Sequence, residues 1–450
     1  MIRLSFPRSN RRGGPWVLLL FLFLFSACEE EPIEATLGQR PPGSRFQVDT
    51  IDTFTTRFLQ LRTPRQEISS SLTNSAGVLN YSLRSTKVGA YRSPLIGLNE
   101  YVLMVQPQDG NAQFSLPENT SRAELVLPLV EGDTSRWGRP GDAQTWTIRP
   151  LTRFLEGPYV TDTLFGLSPS EQDQFFADAV IGRYEGPLQG DALRIPLTQA
   201  GLDTFRALAG RIFNTGQLVT EQFPGMMVRL EGAAELAEDA GAVGEFSLQD
   251  EAAGLFFYSN ENGRDSVVAQ LPFGDNTPRR IFSRQILDNT PAGATLREQR
   301  LNGNQAFLSP IPGLRLNVDF PGLRRLASQD TLLVHAAELF VPIDTEATPA
   351  IDLPSLLVFS SGADSSRSNI VGYLPVLSVA YSTEQGGYRV PMTQQVQDLL
   401  EPNPNPAERA AQSFNLELSK GALFPVYLDL RNKASEGGVE LRVVYSKLSR

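Results

Sequence analysis

A chain of 450 residues with a single cysteine and a single histidine carries little of the usual catalytic equipment. The cysteine, Cys28, closes a run that begins with Arg3, Arg8, Arg11 and Arg12, passes through the apolar stretch Trp16 to Phe25, and ends in Ser26 and Ala27. Those ten apolar residues make a helix of about 15 Å, short of the roughly 30 Å hydrocarbon core of a bilayer. A segment of this kind is processed and not retained as a span. Small residues directly before a thiol form a lipobox, so residues 1–27 read as a lipoprotein signal peptide and Cys28 as the acylated first residue of the mature chain.

The histidine, His335, lies in the run Leu332 to Ala337, which reads as a strand. One imidazole excludes the common zinc sites, which take three or four ligands. As a general base beside a hydroxyl it would need a carboxylate to orient it; otherwise it is a packed or surface strand residue. No metal or cofactor is expected. Hydrolysis of glycosides by two carboxylates needs neither group and stays open as a third reading behind two binding readings. The most site-like constellation is the Gly-rich connection holding Glu131, Asp133, Trp137, Asp142 and Trp146. It could present Trp137 as an aromatic platform for sugar rings, or gather its acids around calcium. The alternative sends Trp146 into the core with Ile148 and uses Trp137 to pack the loop. The polar cluster from Gly362 to Asn369 reads as a solvated turn.

Removal of the signal takes four arginines from 40 basic residues, leaving 36 against 50 acids, a net charge of −14. Such a field repels nucleic acid and anionic lipid. With Cys28 modified, no disulfide is available and stability must come from buried cores. Residues 28–45, with Glu29, Glu30, Glu31 and several prolines and glycines, read as an acidic tether.

From residue 46 short runs rich in β-branched and aromatic residues alternate with Gly, Pro, Asn and Asp clusters, an all-β pattern. Two helices are expected: one opened by Ser168, Pro169 and Glu171, and one over 199–213 with Leu202, Phe205 and Leu208 at helical spacing. An internal repeat stands out. Ala123-Glu124-Leu125-Val126-Leu127-Pro128 returns as Ala337-Glu338-Leu339-Phe340-Val341-Pro342, and Leu193-Arg194-Ile195-Pro196-Leu197-Thr198-Gln199 as Tyr388-Arg389-Val390-Pro391-Met392-Thr393-Gln394. The expected architecture is two tandem β-sandwich domains of jelly-roll type with short capping helices, over 46–275 and 300–450, separated by a Gly- and Pro-bearing connection.

Several stretches carry a resemblance. They are the lipobox and its adjoining acids, Leu37-Gly38, Val48-Asp49-Thr50, Val88-Gly89-Ala90-Tyr91-Arg92-Ser93-Pro94, the Ala123 to Pro128 strand, and the terminal Leu441 to Leu448 run. Together they resemble a Bacteroidota outer-membrane lipoprotein family of unknown function. That resemblance implies an acylated envelope protein with no assigned activity and no catalytic residue to carry over; the location expected is the outer membrane, lipid-anchored, on its cell-surface or periplasmic face. The function expected is a non-enzymatic, lipid-anchored binding or accessory module for an outer-membrane barrel or secretion assembly; the alternative is a surface glycan-binding module.

Overall fold

Alternating inward and outward side chains leave this chain one way to bury its apolar half, as paired strands that lay one face on another sheet. The computed structural model is accordingly all-β, with several antiparallel sheets and a few short helices. It describes residues 49–50, 57–62, 67–68, 72–73, 79–80, 85–106, 114–131, 135–153, 159–160, 163–168, 171, 174–209, 223–261, 263–273, 279–287, 289–298, 305–309, 314–320, 322–323, 331–344, 353, 355–361, 377–400, 413–418, 426–429 and 439–448. Cys28 and the tether, Asp133 and the 362–369 cluster lie outside the described residues. Val48–Arg450 forms one compact unit.

Two cores organise it. The first lies between an eight-stranded sheet, whose centre is Gln144–Pro150, Met226–Leu230, Gly97–Val105 and Ser85–Ser93, and a four-stranded sheet ordered Ala192–Pro196, Thr120–Pro128, Gly254–Glu261, Arg264–Pro272. Val88, Leu103 and Trp146 reach in from one sheet, Leu125, Ile195 and Phe257 from the other. Backbone crowding there demands glycine at position 89. A Cβ would sit 2.2 Å from the Ala242 carbonyl oxygen and 3.0 Å from the Trp146 ring, at a φ of +123°. The helix Gln199–Leu208 closes this core: Thr198 accepts from the Gly201 N–H as its cap, and Leu202, Phe205 and Leu208 point inward.

The second core lies between the sheet Asp49–Thr50, Glu440–Leu448, Thr331–Pro342, Gly387–Pro391 and the five-stranded sheet Arg57–Arg62, Leu314–Asp319, Ser413–Leu418, Leu356–Ser361, Leu377–Val379. Leu339, Val390 and Val443 meet Leu316, Val358 and Leu416 across it.

The repeated sequences hold the same pairings in both halves. Glu124 faces Pro196 and Glu338 faces Pro391; Leu125 faces Ile195 and Leu339 faces Val390; Val126 faces Arg194 and Phe340 faces Arg389. The exit toward each helix matches too, with Leu197 N–H donating to Ala123 O and Met392 N–H to Ala337 O, both at 2.8 Å. The second helix is Thr393–Leu400.

Three expectations need correction. The strands Asp49–Thr50 and Arg57–Arg62, assigned by position to the first domain, pair with Glu440–Leu448 and Leu314–Asp319 in the second half. Residues 275–300 are more than a connection: Arg279–Ile286 pairs along Gly97–Val105 in the eight-stranded sheet, and Pro291 is the first residue of the helix Pro291–Glu298, where a missing N–H costs nothing. The helix expected after Ser168 is present at Glu171 and keeps its cap, since Glu171 accepts from Ser168 N–H at 2.8 Å, but residues 174–181 are turn and irregular chain and do not continue it. Phe175 and Phe176 are buried there against Met104 and Met227, so the apolar stripe belongs to a covering segment.

Because Trp146 is fully buried, Trp146→Ala is expected to cost about 3 to 5 kcal/mol in chemical denaturation. A loss under about 1 kcal/mol would mean that the first core closes without it.

Candidate functional site

Trp137 sits on the short strand Arg136–Gly138, opposite Val243 of Ala240–Ser247. Its ring meets Tyr91 edge-on, centroids 4.8 Å apart. It also packs on two small clusters, one of Tyr91, Tyr101 and Val243, the other of Ile96, Leu287, Ala292, Phe307 and Leu314. The latter draws on both halves of the chain. Trp137 is therefore a half-buried joint residue, in keeping with the packing reading of the two offered for it. Gly138, at φ +97°, lets the backbone pass over the ring of Tyr91, which a Cβ would approach to 2.6 Å.

The same corner is tied by charge. The Tyr91 hydroxyl donates to Asp239 at 2.6 Å, and Arg139 pairs with the same carboxylate. The Arg139 hydrogen bond first, then that of Tyr91, hold the Asp239 carboxyl below its ordinary range. Glu131 and Asp142 are exposed. Among the described residues no three His, Cys, Asp or Glu side chains gather closely enough to hold a metal ion, so these two acids do not meet in such a group.

His335 occupies a β-bulge between Val334 and Ala336, a device that re-aims a side chain. Its Nε2 lies 3.0 Å from Ser446 Oγ. Sequence reasoning had no route to Ser446, which comes from a strand 111 residues away. The pairing has the spacing of a base and a nucleophile, yet Ser446 is fully buried and its hydroxyl cannot reach an external carbonyl. Two further charged sets are built into the eight-stranded sheet. Glu100, with no exposed side-chain surface, is held by Arg229 at 3.2 Å and Arg284 at 2.7 Å. Lys87 faces Glu245 across paired strands, and burial pushes its ammonium down to about 8 against the pull of that carboxylate.

The richest cluster lies on the outward side of the first half's four-stranded sheet. Glu124 accepts from Arg194 at 3.1 Å, from the Tyr258 hydroxyl at 2.7 Å and from Arg122 at 3.4 Å. Arg122 also pairs with Asp265 at 2.8 Å and lies 3.9 Å from the centre of the Tyr258 ring. Burial, then the bond to Glu124, pushes the Tyr258 phenol up to about 12. The repeat supplies half of this cluster in the second half as well, where Arg389 pairs with Glu338. Arginines 45% to 51% exposed at such pairs add only about 0 to 1 kcal/mol each. Fold stability alone is a weak reason to build the cluster. The repeated Glu and Arg were legible in sequence; Arg122, Tyr258 and Asp265 were not, because three strands bring them together.

No family model, curated protein or solved structure matches the chain.

The Trp137 corner yields two expected outcomes. Trp137→Ala is expected to cost about 1 to 3 kcal/mol, less than a fully buried tryptophan, and to make the two halves separable by limited proteolysis. Intact halves and unchanged melting would remove Trp137 from the joint. Asp239 has its folded value below the unfolded one, so its pairing contributes above about pH 3.9 and is lost as pH falls through the lower folded value. Asp239→Asn should flatten the acid limb of the melting-temperature curve, and an acid limb identical to wild type would show the pair to be idle.

Proposed function

We propose that this chain is a lipid-anchored protein of the cell envelope, acting by binding and not by turnover, as an accessory module to an outer-membrane barrel or secretion assembly. The observation that carries the address is the run ending in Ser26, Ala27 and Cys28, with the acidic Glu29-Glu30-Glu31 directly after it. Among the described residues no helix is long and apolar enough to cross a membrane, and a single acylated cysteine supplies attachment of a different kind. The resemblance to outer-membrane lipoproteins supports the same address.

What favours binding over catalysis is how the reactive groups are used. Glu100 is clamped between two guanidiniums, Glu124 accepts from three donors, and the hydroxyl beside His335 is enclosed. A general acid or nucleophile must be free to exchange a proton or a bond with substrate. Each of these groups is already engaged by neighbouring strands of its own sheet.

Cys28→Ser is expected to leave the protein without acyl chains and in the soluble fraction after membrane sedimentation. Intact wild-type lipoprotein, pulled down from detergent-solubilised membranes, is expected to bring a stoichiometric partner. Unchanged membrane association of the serine variant would overturn the anchor. Turnover of an ester or a polysaccharide by the purified protein, abolished by one Asp, Glu or Ser replacement, would overturn the non-catalytic reading.

A further inference from the structure

Strand register fixes what the four-stranded sheet of the first half shows to solvent. Directly paired residues share a face and residues two apart on a strand share it too. The inward set includes Leu125, Leu255 and Phe257, all without exposed surface. The outward set is then Glu124 beside Phe256, and Arg122 beside Tyr258 beside Val267. Phe256 and Tyr258 stand two positions apart on one strand, which sets their Cβ atoms about 7 Å from each other on the same face. Both are half-buried, and Val267 next to Tyr258 is 54% exposed.

We infer that this outer face is a binding site for a neutral saccharide, with Phe256 and the Tyr258 ring, one face of which carries the Arg122 guanidinium, as its floor and the guanidiniums of Arg122 and Arg194 as its hydrogen-bond donors. The inference rests on the binding-module reading and names a ligand class for it.

Charge selects the ligand. Arg122 and Arg194 are matched by Glu124 and Asp265, so the face is electrically balanced while the chain as a whole is acidic. An anionic polymer would meet an unfavourable overall field and would have to break these internal pairs. A neutral sugar need not break them. Each guanidinium has five N–H donors in a fixed fork, and Arg122 and Arg194, about half exposed, keep donors beyond those used on Glu124 and Asp265. Vicinal hydroxyls match that fork, and the C–H face of a pyranose matches an aromatic surface. A protein partner is the poorer fit. Val267 is the one large hydrophobic residue more than a third exposed on this face among the described residues, whereas a protein interface needs an apolar centre.

Affinity electrophoresis of the detergent-solubilised full lipoprotein through gels containing dextran, mannan, laminarin or xylan tests this, with dextran sulfate as the charged control. At least one neutral polysaccharide should retard the protein, equally at low and high salt. Tyr258→Ala and Arg194→Gln should each weaken retardation about tenfold or more, as for anchor residues. Tyr258→Phe, which keeps the ring, should retain most of it. Arg194→Gln removes an exposed group, and an unchanged melting temperature for it separates lost binding from lost fold. The inference is overturned by no retardation in any neutral gel, by retardation that both variants leave intact, or by retardation in dextran sulfate alone that salt abolishes. It is equally overturned if the variants lose a co-purifying protein and no glycan. A wild-type protein that still captures its membrane partner while failing in every gel defeats the saccharide and spares the binding-module reading.

Discussion

Everything in this molecule depends on the face-to-face burial of antiparallel sheets, because the lone cysteine leaves no disulfide to share the task. Each core is closed by side chains from two sheets, Trp146 and Phe257 in the first, Tyr388 and Leu416 in the second. That requirement consumes one side of every central strand. The other side of the small sheets is released from packing, and it is there that Glu124, Arg194 and Tyr258, or Glu338 and Arg389, find one another. Core and surface chemistry are thus two outputs of one alternation, read in opposite phase.

Alternation and local spacing are legible in a sequence, and they encode the all-β class, the helix with Leu202, Phe205 and Leu208 inward, and the repeated strands. Partnership at a distance is not legible in the same way. Arg57–Arg62 has the same strand character whichever half it joins, and only the structure places it against Leu314–Asp319. Arg279–Ile286 was hidden because Gly274 and Pro278 mark a turn without identifying the strand beyond it. At the candidate site the obstacle was the same. Trp137 was visible as a large aromatic in a loop, but its fate was decided by Tyr91 and by residues such as Phe307 from the other half.

The repeat gives the two halves a common central plan, and their four-stranded sheets differ at one edge. In the first half the order runs from Ala192–Pro196 through Thr120–Pro128 and Gly254–Glu261 to the hairpin partner Arg264–Pro272. In the second the corresponding order ends in Asp49–Thr50, a strand delivered from the opposite end of the chain. The local hairpin of one half is replaced in the other by a closure that spans nearly the whole polypeptide.

That closure sets a clock on biogenesis. Asp49 pairs with Tyr445, and the chain is made from its amino end. The early strand therefore has no partner until almost the whole chain has followed it. During that interval the apolar side of the second half is incomplete, while the first half, whose two sheets lie within residues 85–286, already has all its strands. A chain interrupted late would fail at its beginning, leaving unpaired the strand that stands closest to Cys28.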